Sequence, residues 1–153
     1  MNFLETKIPP PVVTILFGIA MWYTSTVTQA AQLSPGIRIL GLSVFIALGS
    51  LCLLSGAALF RVAKTTVNPL KPEAASSLVT SGIYKLTRNP MYVGLALLLC
   101  AWAFYLDSLW ATPFIPFFIG YIQRFQIAPE ERALLQNFND EFMAYKKAVR
   151  PWL

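Results

Sequence analysis

An all-α membrane protein with about four transmembrane helices is the fold class this sequence predicts, and three observations predict it. Of its 153 residues 56% are hydrophobic, charged residues make up only 12% and cluster between long uncharged runs, and the mean hydropathy is +0.58. That composition is too apolar for an ordinary soluble domain, and the length admits only a few crossings. Residues 1–153 therefore read as a single integral membrane domain.

Composition also removes whole classes of chemistry. The chain has no histidine, so imidazole-based triads are excluded and the commonest transition-metal ligand is missing; no metal site is expected. Cys52 and Cys100 sit inside apolar runs without a cationic neighbour and read as small hydrophobes, not as nucleophiles or disulfide partners. The net charge of +5 comes mainly from two groups of Lys and Arg, a pattern of membrane topology rather than of nucleic-acid binding.

The first span is expected over about residues 11–31, after Pro9, Pro10 and Pro11. A single Lys7 and no clear small-residue cleavage site argue against a cleaved signal peptide. Ser34-Pro35-Gly36 marks a turn, and residues 39–60 form the clearest span, roughly the length that crosses about 30 Å of hydrocarbon. Its Gly41, Gly49, Ser50, Ser55, Gly56 and Ala57 are small enough for close helix contact. Arg61 opens a polar loop running to Asn89, made extended or turned at Asn68-Pro69 and Lys71-Pro72 and long enough to be functional or disordered.

Asn89, as a cap, and Pro90, at the first helical position, begin a third span over 91–106. Asp107-Ser108 breaks it from a fourth over 109–127, in which Pro113 and Pro116 are expected to produce kinks. Pro129 then starts an amphipathic helix over about 130–149, with Leu134, Phe138, Phe142, Tyr145 and Val149 at helical spacing. Glu130 and Glu131 at its start and Lys146, Lys147 and Arg150 near its end suit the helix dipole, and Pro151 stops it. Those last cations are expected to meet anionic headgroups. Lys and Arg crowd the Arg61–Arg88 loop and the segment after Arg124, against Arg38 alone in the first external loop and none at the Asp107 turn. Both termini and the motif loop should accordingly be cytosolic.

Polar and aromatic groups concentrate in residues 82–94, Gly-Ile-Tyr-Lys-Leu-Thr-Arg-Asn-Pro-Met-Tyr-Val-Gly. Arg88 and the phenols Tyr84 and Tyr92 flank a helix start, a cluster able to hold a polar ligand at the membrane interface. Each residue also has a plain reading: a snorkelling Arg, an aromatic belt, an ordinary Asn-Pro start. The wider pattern carries more weight. Leu78-Val79-Thr80-Ser81-Gly82-Ile83-Tyr84, then Arg88-Asn89-Pro90-Met91-Tyr92-Val93-Gly94, then Glu130-Glu131 with Phe138 and Tyr145-Lys146-Lys147, resembles the isoprenylcysteine carboxyl methyltransferases and the related membrane phospholipid methyltransferases. The resemblance covers roughly the C-terminal half, with two separated motifs in family order.

The resemblance implies S-adenosylmethionine bound between the motif loop and the Glu-Glu helix, with a lipid-like acceptor arriving from the membrane. Carried over by position, the cofactor contacts are Ser76, Ser77, Leu78, Val79, Asn89, Pro90 and Met91, with Glu130 as the carboxylate. The residue types suit such a ligand: phenol faces at Tyr84 and Tyr92 attract a sulfonium, and a carboxylate holds an ammonium or ribose hydroxyls. Methyl transfer is a direct displacement, so orientation and exclusion of water carry it without a histidine. Two departures stand out. Ser76 replaces the His common in isoprenylcysteine members, and Gln126 replaces their arginine for the substrate carboxylate. Arg88 or Arg124 can take that role, so Arg88, Arg124 and Gln126 are the expected acceptor-positioning residues. Gln126→Arg is expected to improve activity on a prenylcysteine analogue, and a neutral or amine head is equally open. Two other readings remain, an NADPH-dependent membrane reductase of the sterol reductase type and a non-catalytic membrane assembly subunit; titration with each cofactor separates the three.

Overall fold

A computed structural model describes residues 5, 7–63 and 77–153. Ser76 and the Asn68-Pro69 and Lys71-Pro72 turns lie outside the described residues. The architecture is all-α: α1 (Pro10–Val27), α2 (Pro35–Val62), α3 (Pro90–Leu106), α4 (Phe114–Ile122) and α5 (Ala128–Ala148). Helices α1 and α2 are long and apolar enough to cross a membrane, and their outward faces expose Ile15, Leu16, Ile19, Leu40, Leu51 and Leu54, a surface suited to lipid. α3 is shorter, at 17 residues.

Pro10, Pro35 and Pro90 each open a helix, where a missing N–H breaks no intrahelical bond. α1 ends at Val27, short of the expected 31. α2 begins before the expected 39, because Ser34 caps it by accepting from the Ile37 amide at 3.4 Å. Arg38 consequently lies in its first turn, donating from Nη2 to the Tyr105 carbonyl at 2.8 Å.

The seam between α2 and α3 is built on glycine. A Cβ at Gly94 would lie 2.7 Å from Leu53 Cγ and 2.8 Å from the Gly49 carbonyl oxygen, while Gly41 sits under the Phe104 ring and Gly56 against Met91 and Pro90. Close backbone approach along this line holds the start of α3, and so the motif, against the end of α2. On its other side α3 supplies Tyr92, Leu95, Ala96, Leu99 and Ala103 to a core shared with Val13 and Met21 of α1 and Phe118 and Ile122 of α4.

The expected fourth span is not one kinked helix. Leu109–Ala111 is a 3₁₀ turn, Pro113 precedes α4 and Pro116 falls in its first turn, where no carbonyl four residues back is displaced. Nor does a separate helix start at Pro129. A π-helical turn, Gln123–Ile127, joins α4 to α5 without a break, and the Ala128 amide donates five residues back to Gln123. The wider turn falls directly before Pro129, whose ring and missing N–H would otherwise conflict with the α-helical ladder. α5 itself bends at Asn139 (φ 38°, ψ −113°). Beyond the bend Phe142 is buried, 2% exposed, and the Tyr145 hydroxyl donates to the Tyr84 carbonyl at 2.7 Å.

Candidate functional site

The motif is held by its own backbone geometry and by the end of the chain. Gly82 adopts φ +57°, a left-handed conformation that favours glycine, and a Cβ there would press on the end of the Leu59 side chain at 2.9 Å, so conformation above all selects glycine. The 3₁₀ turn Gly82–Lys85 then buries Tyr84 edge-on against Phe60 at 5.5 Å. Thr87, fully buried, accepts from the Asn89 amide at 3.2 Å and donates to the Pro151 carbonyl at 3.0 Å. Asn89 stands at the N-cap position of α3 but makes no side-chain cap. Its amide group donates instead to Pro151 at 3.0 Å, so the expected capping role is replaced by a contact 62 residues away in the chain.

Two adjacent carboxylates meet this motif in different states. Glu131 receives Arg88 Nη2 at 2.5 Å and Lys146 Nζ at 2.7 Å. Burial opposes its charge, but the hydrogen bonds from Lys146 and Arg88 prevail and hold its carboxyl below the usual range. Glu130 has the Tyr92 hydroxyl as donor. Burial pushes its carboxyl up to about 8, the Tyr92 bond opposing and the Glu131 charge adding. Burial likewise raises Tyr84, and raises Tyr145 to about 12, so both phenols stay neutral in the physiological range.

Arg88, its side chain only 7% exposed, is turned by this network. Nη1 donates to the carbonyls of Lys146 and Val149, whereas Nε is buried without a partner. The cleft between these groups encloses about 470 Å³, its open mouth included, and is lined by Arg88, Asn89, Glu130 and Glu131, by Ser77, Leu78 and Val79, and by Phe60, Tyr84, Leu134, Phe142 and Tyr145. Its lining thus includes Arg88, whose buried Nε lacks a partner, and Glu130, which meets no cation among the described residues, beside an aromatic and aliphatic wall.

Seven of the residues expected to contact cofactor or acceptor line this cleft: Ser77, Leu78, Val79, Tyr84, Arg88, Asn89 and Glu130. Pro90 and Tyr92 are buried behind it, the Tyr92 ring in the core and only its hydroxyl reaching Glu130; Met91 packs on Gly56. Gln126 and Arg124 turn toward the N-terminal segment. Gln126 is fully buried and donates to the Ile8 carbonyl at 2.8 Å, and Arg124 pairs with Glu5 at 2.9 Å, which Arg132 also meets at 2.5 Å. Phe60, Leu134, Phe142 and the chain end from Val149 to Trp152 join the site without having been assigned to it from sequence. For Leu134 and Phe142 helical spacing was the one visible signal.

A family model described as phospholipid methyltransferase matches residues 37–141. A protein of Haemophilus influenzae described as uncharacterized is 44% identical over 63 residues, which is 41% of this chain and 100% of that protein. No solved structure matches.

Proposed function

The chain belongs to the phospholipid methyltransferase family, and on that premise we propose that it transfers a methyl group from S-adenosylmethionine to a lipid-dissolved amphiphile at the cytosolic membrane face. One observation carries the cofactor part. The cleft is lined both by Arg88, whose Nε is buried without a partner, and by Glu130, a carboxylate that meets no cation among the described residues, and this donor and acceptor complement the zwitterionic end of an amino-acid cofactor. The donor set of the lining, a guanidinium and a carboxylate beside aromatic and aliphatic side chains, fits the group.

Arg88 would meet the carboxylate of that end and Glu130 its ammonium. Ser77, Leu78 and Val79 would flank the nucleoside, with Phe60, Leu134 and Phe142 as the apolar wall that excludes water. Once bound, the cofactor supplies an electrophilic methyl on a sulfonium. The protein's own contribution is orientation in a dry cleft, with Tyr84 and Tyr145 neutral, so that no protein nucleophile need form. The acceptor's tail belongs in lipid beside the hairpin of α3 and α4, where Phe117 is exposed. In this reading α1, α2, α3 and the α4 segment all cross the membrane, with both termini cytosolic.

The test supplies labelled S-adenosylmethionine with total lipid extract or, separately, with a water-soluble metabolite pool. Label in the lipid fraction is expected. Label confined to soluble products, or absent from both, would overturn the proposal.

A further inference from the structure

Past the end of α5 the backbone turns extended at Val149 (φ −129°, ψ 139°) and runs back along residues 87–89. Successive tail carbonyls are each taken by a motif donor. Val149 receives Arg88 Nη1, Arg150 receives the Arg88 amide at 2.9 Å, and Pro151 receives both Thr87 Oγ1 and Asn89 Nδ2 at 3.0 Å. Trp152 Nε1 donates to Gln123 Oε1 at 2.8 Å, which fastens the far end of the tail to the π-helical turn. A solvated segment has no need of such bonds, and here they draw on the three residues that precede α3.

The consequence falls on Arg88. A guanidinium presents its N–H donors in one plane. With Nη1 held by Val149 and Lys146 and Nη2 by Glu131, that plane is fixed, and Nε is left unpartnered on a residue that lines the cleft. Lys146 lies within α5, but Val149 and the two following carbonyls belong to the tail. Without the tail Arg88 keeps Glu131 and Lys146 but loses one of the two carbonyls that hold Nη1, which loosens its orientation, and the Asn89 side chain is free to cap α3.

We propose that Val149–Trp152 is a positioning segment of the cofactor site, holding Arg88 in the orientation that leaves Nε for the carboxylate at the amino-acid end of the cofactor. The proposal rests on the S-adenosylmethionine reading above and adds to it a role for the chain end.

The test is binding, not turnover. Protein in detergent is titrated by calorimetry with S-adenosylhomocysteine and with 5′-methylthioadenosine, which keeps the adenosine thioether but lacks the amino-acid end. A chain ending at Ala148 is expected to bind the first roughly tenfold more weakly, the scale of one charge-assisted hydrogen bond, and the second within about twofold of the intact chain. Trp152→Phe, which removes only the donor to Gln123, should shift the same ratio in the same direction by less, and it decides the matter should the shortened chain fail to fold. Equal weakening of both ligands would make the tail merely structural and overturn the proposal, as would no change in either. Failure of the intact chain to bind S-adenosylhomocysteine at all would instead overturn the cofactor reading, and the tail's role with it.

Discussion

The Tyr92 hydroxyl donates to the Glu130 carboxylate, joining the first turn of α3 to the start of α5 behind the cleft. Neighbouring Glu131 has both Arg88 and Lys146, so of two carboxylates one residue apart, Tyr92 meets the one that these cations leave aside. Burial raises Glu130 to about 8, and its charge becomes available as the pH climbs toward that value.

The sign of the resulting pH dependence follows from linkage. A carboxyl whose folded pKa is raised binds more protons folded than unfolded between about 4.5 and about 8, so the ligand-free protein loses stability as pH rises through that window. A cationic ligand that pairs with the ionised group gains affinity over the same range. S-adenosylmethionine is expected to bind roughly tenfold more tightly at pH 7.5 than at pH 6, with proton release. Glu130→Gln should flatten both the melting-temperature slope and the affinity slope. Calorimetry in two buffers of different ionisation heat measures the protons; affinity independent of pH in the parent protein would remove Glu130 from the cofactor contacts.

The glycine seam gives a stability prediction with an internal control. An alanine at Gly94 would meet Leu53 and the Gly49 carbonyl at 2.7–2.8 Å, and because one of those neighbours is backbone, relief requires the helices to part. Gly94→Ala should cost about 1–3 kcal/mol. Gly120 has nothing within 4 Å of its Cβ position, so Gly120→Ala should be neutral or stabilise by up to about 1 kcal/mol through helix propensity. Thermal melts in one detergent compare the two; equal melting temperatures would mean that α2 and α3 do not pack as closely as described.

Much of this was legible in the sequence where the signal is local. Apolar runs, the small residues of α2 and prolines at helix starts gave helices in the right order, because burial pattern and proline geometry act over a few residues. Asn89 was misjudged as a cap because its partner Pro151 lies in the chain's last residues, and no spacing rule reveals a carbonyl brought back by a tail. Pro129 looked like a helix start because sequence does not show that the turn before it is widened to π geometry. The bend at Asn139 carried no proline or glycine to announce it. In the site, the motif residues were visible as chemistry, whereas Phe60 and Phe142 read as ordinary apolar positions until α2 and the bent α5 enclosed the cleft.

Topology can be read by labelling. The Asp107 turn is tied to the segment after α1, the Ala31 amide donating to the Asp107 carbonyl at 2.7 Å and the Leu33 amide to its side chain at 3.1 Å, so these two connections share one end of the bundle, opposite the motif. In a chain with Cys52 and Cys100 replaced by alanine, Leu109→Cys, 65% exposed, should react with an impermeant thiol reagent only from the extracytoplasmic side. Lys85→Cys should react only from the cytosolic side. The reverse pattern would invert the proposed orientation.

Gln126 yields the last prediction, and it reverses the expectation drawn from its family position. An arginine there was expected to supply the missing carboxylate partner of a prenylcysteine acceptor. In the fold Gln126 is fully buried beside buried Ile127. Its amide nitrogen is committed to the Ile8 carbonyl, its oxygen is buried without a partner, and it is absent from the wall of the cleft. Arginine would add volume and place a charge where a fully buried amide now sits, a change of about 2–4 kcal/mol in cost. Gln126→Leu removes the Ile8 bond but also the orphaned acceptor, and since replacing a half-satisfied polar group can be nearly neutral, it should cost less than about 1.5 kcal/mol. Gln126→Arg is therefore expected to melt well below Gln126→Leu and to gain no activity on a prenylcysteine analogue. An arginine variant with the parent's melting temperature and new carboxylate methylation would show that this side chain reaches the acceptor, and would return Gln126 to the substrate-positioning set.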